Sequence, residues 1–239
     1  AGIEYKRRRY KVEKFLAYFQ AYTNTYGPIE HLKELYDTAL SIPGVVGLAI
    51  GTRPDCVANP VLDLIESYAS RTEVWLEYGL QTSHDRTLER IHRGHRYAAF
   101  VDAMERTHGR GINVCVHVIL GLPGENREDM MITAKRLGRM DFQGIKIHLL
   151  HILRDTPMAR QYANGEIPLL SLPEYASLVV DFLEHIPPQV IIHRMSGDAP
   201  PSMLVAPEWC LNKTEVLRTI EDEMRRRNFR QGSRRNSSE

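Results

Sequence analysis

An α/β fold built on a parallel sheet is what this sequence predicts, from three observations. Apolar, β-rich runs recur along most of the 239 residues, a stretch of helical periodicity follows each, and no hairpin signal separates neighbouring runs. Successive runs start about thirty residues apart, the length of a βα unit. With 43% hydrophobic side chains, the chain can bury a full core as one domain.

The first run is residues 15–19, and Pro28 opens the helix that follows towards Leu40, because proline's missing N–H costs nothing in a first turn. The second run, 45–50, is followed by a helix that Pro60 opens and that continues through Tyr68. After the third, 74–78, residues 87–95 are expected to form a short helix carrying Arg93. The fourth is 114–120, and residues 127–140 after it carry apolar positions at helical spacing. The fifth is 145–150. Ser171-Leu172-Pro173-Glu174 then forms a cap with proline in the first turn of a helix ending near Ile186-Pro187-Pro188. The sixth run is 190–193. A helix over 214–228 precedes the tail 230–239, whose Gly, Ser, Asn and Arg content is expected to leave it mobile. The expected organisation is therefore a barrel or sheet domain over 1–213 and a helix with a basic tail over 214–239.

Lys plus Arg (31) nearly cancel Asp plus Glu (30), so net charge argues for neither nucleic acid nor membrane as a partner. The asymmetry is local. Lys6-Arg7-Arg8-Arg9 at the start, and Arg225-Arg226-Arg227, Arg230, Arg234 and Arg235 at the end, can touch phosphates, and solvated termini explain them equally well. Cys56, Cys115 and Cys210 form no Cys-x-x-Cys pair, against both a disulfide framework and a zinc site. No apolar run approaches the roughly 18–20 residues that span a bilayer, and the expectation is a cytoplasmic chain with no membrane partner.

Six buried parallel strands form either an open doubly wound sheet or a barrel, and in both the ligands sit beyond the carboxyl ends of the strands. Residues 20–26, 51–56, 79–83, 121–126 and 151–156 are therefore the segments that carry function. Gly79-Leu80-Gln81-Thr82 ends the third strand, and Arg93 after it can clamp a carboxylate bidentately. In Gly121-Leu122-Pro123-Gly124-Glu125 the glycines let backbone approach a ligand, while Pro123 stiffens the turn. Glu77 lies inside a strand, where a carboxylate needs a partner, and Arg53 at the preceding strand end is the candidate. His117, His148, His151 and His193 fall on or just past strands, either as core residues bonded to carbonyls, as metal ligands, or facing a cofactor or substrate.

Taken together, Tyr-Phe-Gln-Ala-Tyr-Thr-Asn-Thr (18–25), Gly-Thr-Arg-Pro-Asp (51–55), Glu-Tyr-Gly-Leu-Gln-Thr (77–82), Arg-Gly-His (93–95) and Gly-Leu-Pro-Gly-Glu (121–125) resemble radical S-adenosylmethionine (SAM) enzymes. The similarity is greatest to bacterial members related to the elongator catalytic subunit, with oxygen-independent coproporphyrinogen oxidase more distant. It runs from about Phe15 to Lys213 and includes Gly144 to His151, Ile192-His193-Arg194 and Asn212-Lys213. The resemblance implies a partial (β/α)6 TIM-like barrel lacking its first strand and cluster loop. It also implies a [4Fe-4S] cluster that donates an electron to bound SAM, giving methionine and a 5′-deoxyadenosyl radical. By the same resemblance Gln20, Ala21, Tyr22 and Thr23 lie where relatives hold the methionine amino group, although the family's glycines are replaced here. Gln81 and Arg93 match SAM contacts, the arginine on the carboxylate. Gly121 and Pro123 match the turn beside adenine, and His148 and His151 match a segment bordering the adenosine. Arg53, Glu77 and His117 complete the expected cofactor-facing set.

One departure is large. The family's three cluster cysteines sit on a loop upstream of the segment matching 15–19, and Cys56, Cys115 and Cys210 are in other positions. The expectation is a fragment or degraded member that binds no metal through its own residues, is inactive alone, and self-associates through the exposed sheet edge at residues 15–19. The substrate is not identified; tRNA is a candidate through the elongator-like relatives. Two other classes stay open: a non-catalytic RNA-binding module that uses the basic ends, and a metal-dependent α/β barrel hydrolase or aldolase.

Overall fold

The computed structural model describes residues 2–20 and 22–234. Its elements are α1 (Gly2–Tyr10), β1 (Phe15–Phe19), α2 (Ile29–Leu40), β2 (Val45–Thr52), α3 (Asn59–Ala69), β3 (Glu73–Gln81), α4 (Asp85–Arg90), α5 (Tyr97–Thr107) and β4 (Asn113–Leu120). There follow α6 (Arg127–Leu137), β5 (Gly144–Leu149), β6 (Ile152–Leu153), α7 (Pro157–Ala163), α8 (Leu172–His185), β7 (Ile191–Arg194), β8 (Leu204–Ala206) and α9 (Lys213–Arg226). The six-stranded sheet has the order β1-β2-β3-β4-β5-β7, and β1/β2, β2/β3 and β5/β7 pair in parallel. Its strands are the six apolar runs of the sequence. β6 and β8 form a separate antiparallel pair. Among the described residues no helix is long and apolar enough to cross a membrane.

The chain divides into two compact units, residues 1–79 with 98–115, and residues 80–97 with 116–239. In the first, Tyr36 of α2 is wholly buried with its ring edge-on to Phe19 and Tyr68, at 5.3 and 5.9 Å between centroids. Gly47 is obligatory in β2, because a Cβ there would lie 2.2 Å from the Glu73 carbonyl. Arg110 at the end of α5 clasps α3 through Asp63 (2.7 Å) and Glu66 (2.5 Å).

In the second unit α8 is buried on nearly every side, with Tyr175, Val179, Phe182 and Leu183 fully enclosed. Its predicted cap is present: Ser171 and Glu174 form a reciprocal capping box. Asp181 of α8, 3% exposed, joins three helices by accepting hydrogen bonds from Arg127 of α6 and from Arg227, just past α9, at 2.7 Å. Of the tail 230–239 that composition leads one to expect mobile, residues 235–239 lie outside the described residues, and Gln231 to Arg234 are tied back to the chain around α8. Gln231 Nε2 donates to the Pro187 and Val190 carbonyls, and the Gly232 and Arg234 amides donate to Leu183 and Glu184 of α8. The exposed carbonyls at a helix end attract donors that composition alone does not assign.

Removing the Asp181 carboxylate leaves two guanidinium groups without their shared acceptor. Asp181→Ala is expected to destabilise the fold by about 2 kcal/mol, more than Arg127→Ala, because Arg127 is half exposed. Urea titrations of the two variants check the order.

Candidate functional site

In the first unit the carboxyl ends of β1 and β2 are joined by one side chain. Asn24 Nδ2 donates to the Phe19 carbonyl (3.0 Å) and the Gly51 carbonyl (2.9 Å), and the Asn24 amide donates to Gly51 as well. The Thr25 hydroxyl meets Thr52 Oγ1 at 2.5 Å and donates to the Cys56 carbonyl. Beside this knot is an open cleft of about 950 Å³ whose lining includes Tyr22, Thr23, Tyr26, Arg53, Asp55 and Cys56. Three of the anticipated residues, Tyr22, Thr23 and Arg53, thus share one hollow. Gln20 is exposed at the end of β1, and Ala21 lies outside the described residues. Tyr22 has a left-handed backbone (φ 64°) and is 99% exposed.

Arg53 and Glu77, expected as partners, each bond a neighbour of their own. Arg53 closes a two-bond fork with Asp55, Nε to Oδ1 at 2.9 Å and Nη2 to Oδ2 at 2.5 Å, and this contact pushes its pKa up. Glu77 is buried at 3% exposure and accepts from Tyr18 Oη at 2.7 Å. A carboxylate two residues away is met before one on the next strand.

In the second unit the segment after β3 is bolted to α6. Thr82 Oγ1 donates to Glu125 Oε1 (2.5 Å), the Ser83 amide to Thr133 Oγ1 (3.2 Å), and Arg136 Nη1 to the Ser83 carbonyl (2.7 Å). Burial raises the Glu125 pKa, and the Thr82 and Thr87 hydroxyls oppose the shift. Gln81, last in β3, is left-handed (φ 73°). α4 stops at Arg90, so Arg93 stands not on a helix, as expected, but in a turn between left-handed His92 (φ 51°) and Gly94 (φ 83°); its amide donates to the Leu88 carbonyl.

The Gly121–Glu125 turn is more occupied than its glycines suggest. At Gly121 (φ 80°) a Cβ would meet Leu170 Cδ1 at 3.0 Å, and at Gly124 one would meet Arg90 Nη1 at 2.7 Å. Pro123 is buried. Neither Leu170 nor Arg90 carries a motif, so sequence reasoning missed both.

His117 and His148 lie side by side, 5.5 Å between centroids. Burial, then the neighbouring His117 and the charges of Arg194 and Lys146, hold His148 down to about 3. His151 packs against the Gly197 backbone, burial lowers its pKa, and its buried Nε2 has no hydrogen-bond partner among the described residues. Asp198 nearby is held low chiefly by Lys213 and also pairs with Arg194 at 3.3 Å. His193 on β7 is exposed.

The residues fit SAM better than they fit a cluster. The orphan His151 Nε2 and the left-handed Tyr22 and Gln81 are polar or strained strand-end positions of the kind a ligand uses. Two of the three thiols do not fit a [4Fe-4S] cluster, which takes thiolates. Cys115 is enclosed between Ala49 and Trp75, and burial pushes Cys210 towards the protonated form.

Comparisons with known proteins agree with this geometry. Residues 4–137 match the radical SAM superfamily and residues 142–226 the Radical_SAM C-terminal domain. The uncharacterized protein YtqA of Bacillus subtilis is 46% identical over 94% of this chain and 70% of its own length. A tRNA uridine(34) acetyltransferase of Methanocaldococcus jannaschii is 26% identical over 67% of this chain and 30% of its own length. Among solved structures, the archaeal Methanocaldococcus infernus Elp3 with an N-terminal deletion superposes with TM-score 0.80 at 17% identity, over 96% of this chain. The chain spans 58% of that Elp3 chain. The fold is therefore the partial barrel of the radical SAM type.

Because the fold resists protonating His148 while the unfolded chain takes up a proton near 6.5, stability is full above pH 6.5 and falls as pH drops towards about 3. The slope attributable to this residue is at most about 1.4 kcal/mol per pH unit. Denaturant unfolding at several pH values is expected to show His148→Gln flattening the acid limb; an unchanged limb contradicts the assignment.

Proposed function

We propose that this chain, which belongs to the radical SAM superfamily, forms the SAM-binding part of an enzyme whose substrate class is RNA, with tRNA as the substrate. Membership displaces the hydrolase or aldolase alternative. The observation that carries the SAM reading is the coincidence of backbone and resemblance. Two positions that match the family's SAM-holding segments, Tyr22 and Gln81, are non-glycine residues in left-handed conformations. Such backbone costs roughly 1–2 kcal/mol per residue and persists where surrounding structure or a ligand requires it.

The roles follow from the residues' chemistry. By the resemblance, the backbone at Gln20, Tyr22 and Thr23 holds the methionine amino group, and Gln81 supplies a side-chain amide to SAM. Arg93 pairs with the SAM carboxylate through its planar fork. Arg53 and Glu77, each already bonded to a neighbour, order the pocket wall rather than grip the ligand. Gly121 and Pro123 shape the adenine turn, His117 lies beside His148 there, and His148 and His151, both held towards the neutral form, offer hydrogen bonds to the adenosine without placing positive charge beside the sulfonium. Bound SAM is this family's source of a 5′-deoxyadenosyl radical. Support for tRNA comes from the relative that is a tRNA uridine(34) acetyltransferase.

The Arg93 role is tested by calorimetric titration with S-adenosylhomocysteine. Arg93→Ala is expected to bind roughly ten- to a hundredfold more weakly, from the loss of a charge-assisted pair worth about 1.5–3 kcal/mol, and lysine to restore part of it. Equal affinity in a folded Arg93→Ala chain overturns the role.

The outer edge of β1 is the proposed self-association surface. β1 ends the strand order, and Leu16 and Tyr18 on it are each more than 40% exposed. Light scattering is expected to give a mass that rises with concentration; a constant monomer mass overturns the proposal.

A further inference from the structure

The two basic ends of the chain are alike in composition and unlike in surroundings. At the C-terminal end Arg225 meets Asp222 (2.8 Å) and Glu221 (3.4 Å), and Arg226 meets Glu223 (2.7 Å). Arg227 meets Asp181 (2.7 Å) and Glu223 (2.5 Å), and Arg234 meets Glu184 (2.8 Å). Each of these cations has a carboxylate of its own fold to answer it.

On α1 the carboxylates run short. Arg7 and Arg8 share Glu4 at 3.4 and 3.5 Å. Lys6 and Arg9 have no carboxylate partner among the described residues; they lie over tyrosine rings instead. Lys6 Nζ is 5.4 Å from the Tyr10 ring, and Arg9 Cζ is 6.0 Å from Tyr5 and 5.6 Å from Tyr10. Arg9 also donates to Tyr5 Oη at 3.1 Å. Over residues 2–14, six cations (Lys6, Arg7, Arg8, Arg9, Lys11, Lys14) oppose two anions (Glu4, Glu13), a net of +4. The whole chain carries +1, so the remainder carries −3. The group is presented to solvent: the Arg8 side chain is 81% exposed, Tyr5 58% and Tyr10 56%. Tyr5, Arg8 and Arg9 stand three and four residues apart, on one helix face, around an open hollow of about 580 Å³ that Glu4 also lines.

We infer that α1 is an RNA-docking surface, with Lys6, Arg8 and Arg9 on phosphates and Tyr5 and Tyr10 available to stack unpaired bases, and that the carboxylate-paired Arg225, Arg226, Arg227 and Arg234 take no part. Uncompensated cations flanked by exposed aromatic rings suit an RNA strand, which offers charge and π-faces together. An anionic membrane would require a broad apolar face, and α1 has only Ile3 besides its tyrosines. The inference rests on the RNA reading above and goes beyond it by locating where the strand is held.

The test is fluorescence anisotropy of the 239-residue chain with a labelled tRNA transcript and a single-stranded RNA of about 20 nucleotides, between about 50 and 200 mM salt. Lys6→Glu/Arg8→Glu/Arg9→Glu is expected to bind both at least tenfold more weakly, with a salt slope shallower by about 2 to 3. Tyr5→Leu/Tyr10→Leu is expected to weaken the single strand more than the tRNA. Arg225→Glu/Arg226→Glu is expected to match the unaltered chain. Circular dichroism and S-adenosylhomocysteine affinity, both expected unchanged, show that the variants are folded. The inference is overturned if the triple variant keeps its affinity, if the C-terminal variant loses as much, if the unaltered chain binds no RNA at micromolar concentration, or if phosphatidylglycerol vesicles compete as well as RNA. RNA binding that ignores the α1 changes leaves RNA as the substrate class and removes only this surface. α1-dependent RNA binding without S-adenosylhomocysteine binding does the reverse, and removes the SAM reading.

Discussion

A parallel β/α arrangement leaves its strand-end carbonyls pointing where a ligand would sit, and they need donors even when no ligand is bound. At β1 and β2 a single amide answers that need. Asn24 gives both side-chain protons to Phe19 and Gly51 and takes the Tyr36 hydroxyl on its own carbonyl at 2.7 Å. Through that last bond the strand ends are referred to α2 and to the aromatic stack of Phe19, Tyr36 and Tyr68. The exposed loop carrying Tyr22 and Thr23 therefore springs from a fixed base, although Tyr22 itself touches solvent almost everywhere.

The second unit solves the same problem with hydroxyls and a carboxyl. Thr82, Ser83 and Thr133 form a buried chain of donors and acceptors, and Glu125 and Arg136 close its ends. A buried polar network of this kind holds a unique geometry only when each member is satisfied. It explains why Glu125 belongs to the Gly-Leu-Pro-Gly-Glu motif: the acid bonds the turn after β4 to the end of β3, next to Gln81. What the sequence presents as a ligand motif is equally a hydrogen-bonding device that places the ligand residues.

How much of this was legible depends on the length scale of each cause. The inner strands β2 to β5, buried over most of both faces, are apolar nearly throughout and stand out as runs, and Pro28, Pro60 and Pro173 mark helix starts by a purely local rule. α5 has helical spacing at Phe100, Ala103, Met104 and Thr107, a signal that was available and passed over. α1 offers almost no apolar stripe, and β6 and β8, of two and three residues, are too short for any period to register. Site residues divide the same way. Those in strand-end motifs were found, whereas Leu170 over Gly121 and Arg90 over Gly124 arrive from elsewhere in the fold. The Arg53 fork to Asp55, two residues along, is a local contact that the strand-to-strand reading of Arg53 did not include.

Charge follows the same logic, with a functional consequence. Arg225, Arg226 and Arg227 read from sequence as a basic run of the same kind as Arg7, Arg8 and Arg9, yet α9 interleaves its arginines with Glu221, Asp222 and Glu223 at helical spacing and leans on Asp181. Arg227 joins α9 to α8 while Arg225 and Arg226 pair within α9, and a phosphate would have to displace a carboxylate to reach any of the three. α1 has tyrosines where α9 has acids. A ring face holds a cation with about 0.5–1 kcal/mol at an exposed site without neutralising it, so the guanidinium stays ordered and keeps its charge for an external anion. Whether a basic cluster is structural or available is thus decided by which residues share its helix face.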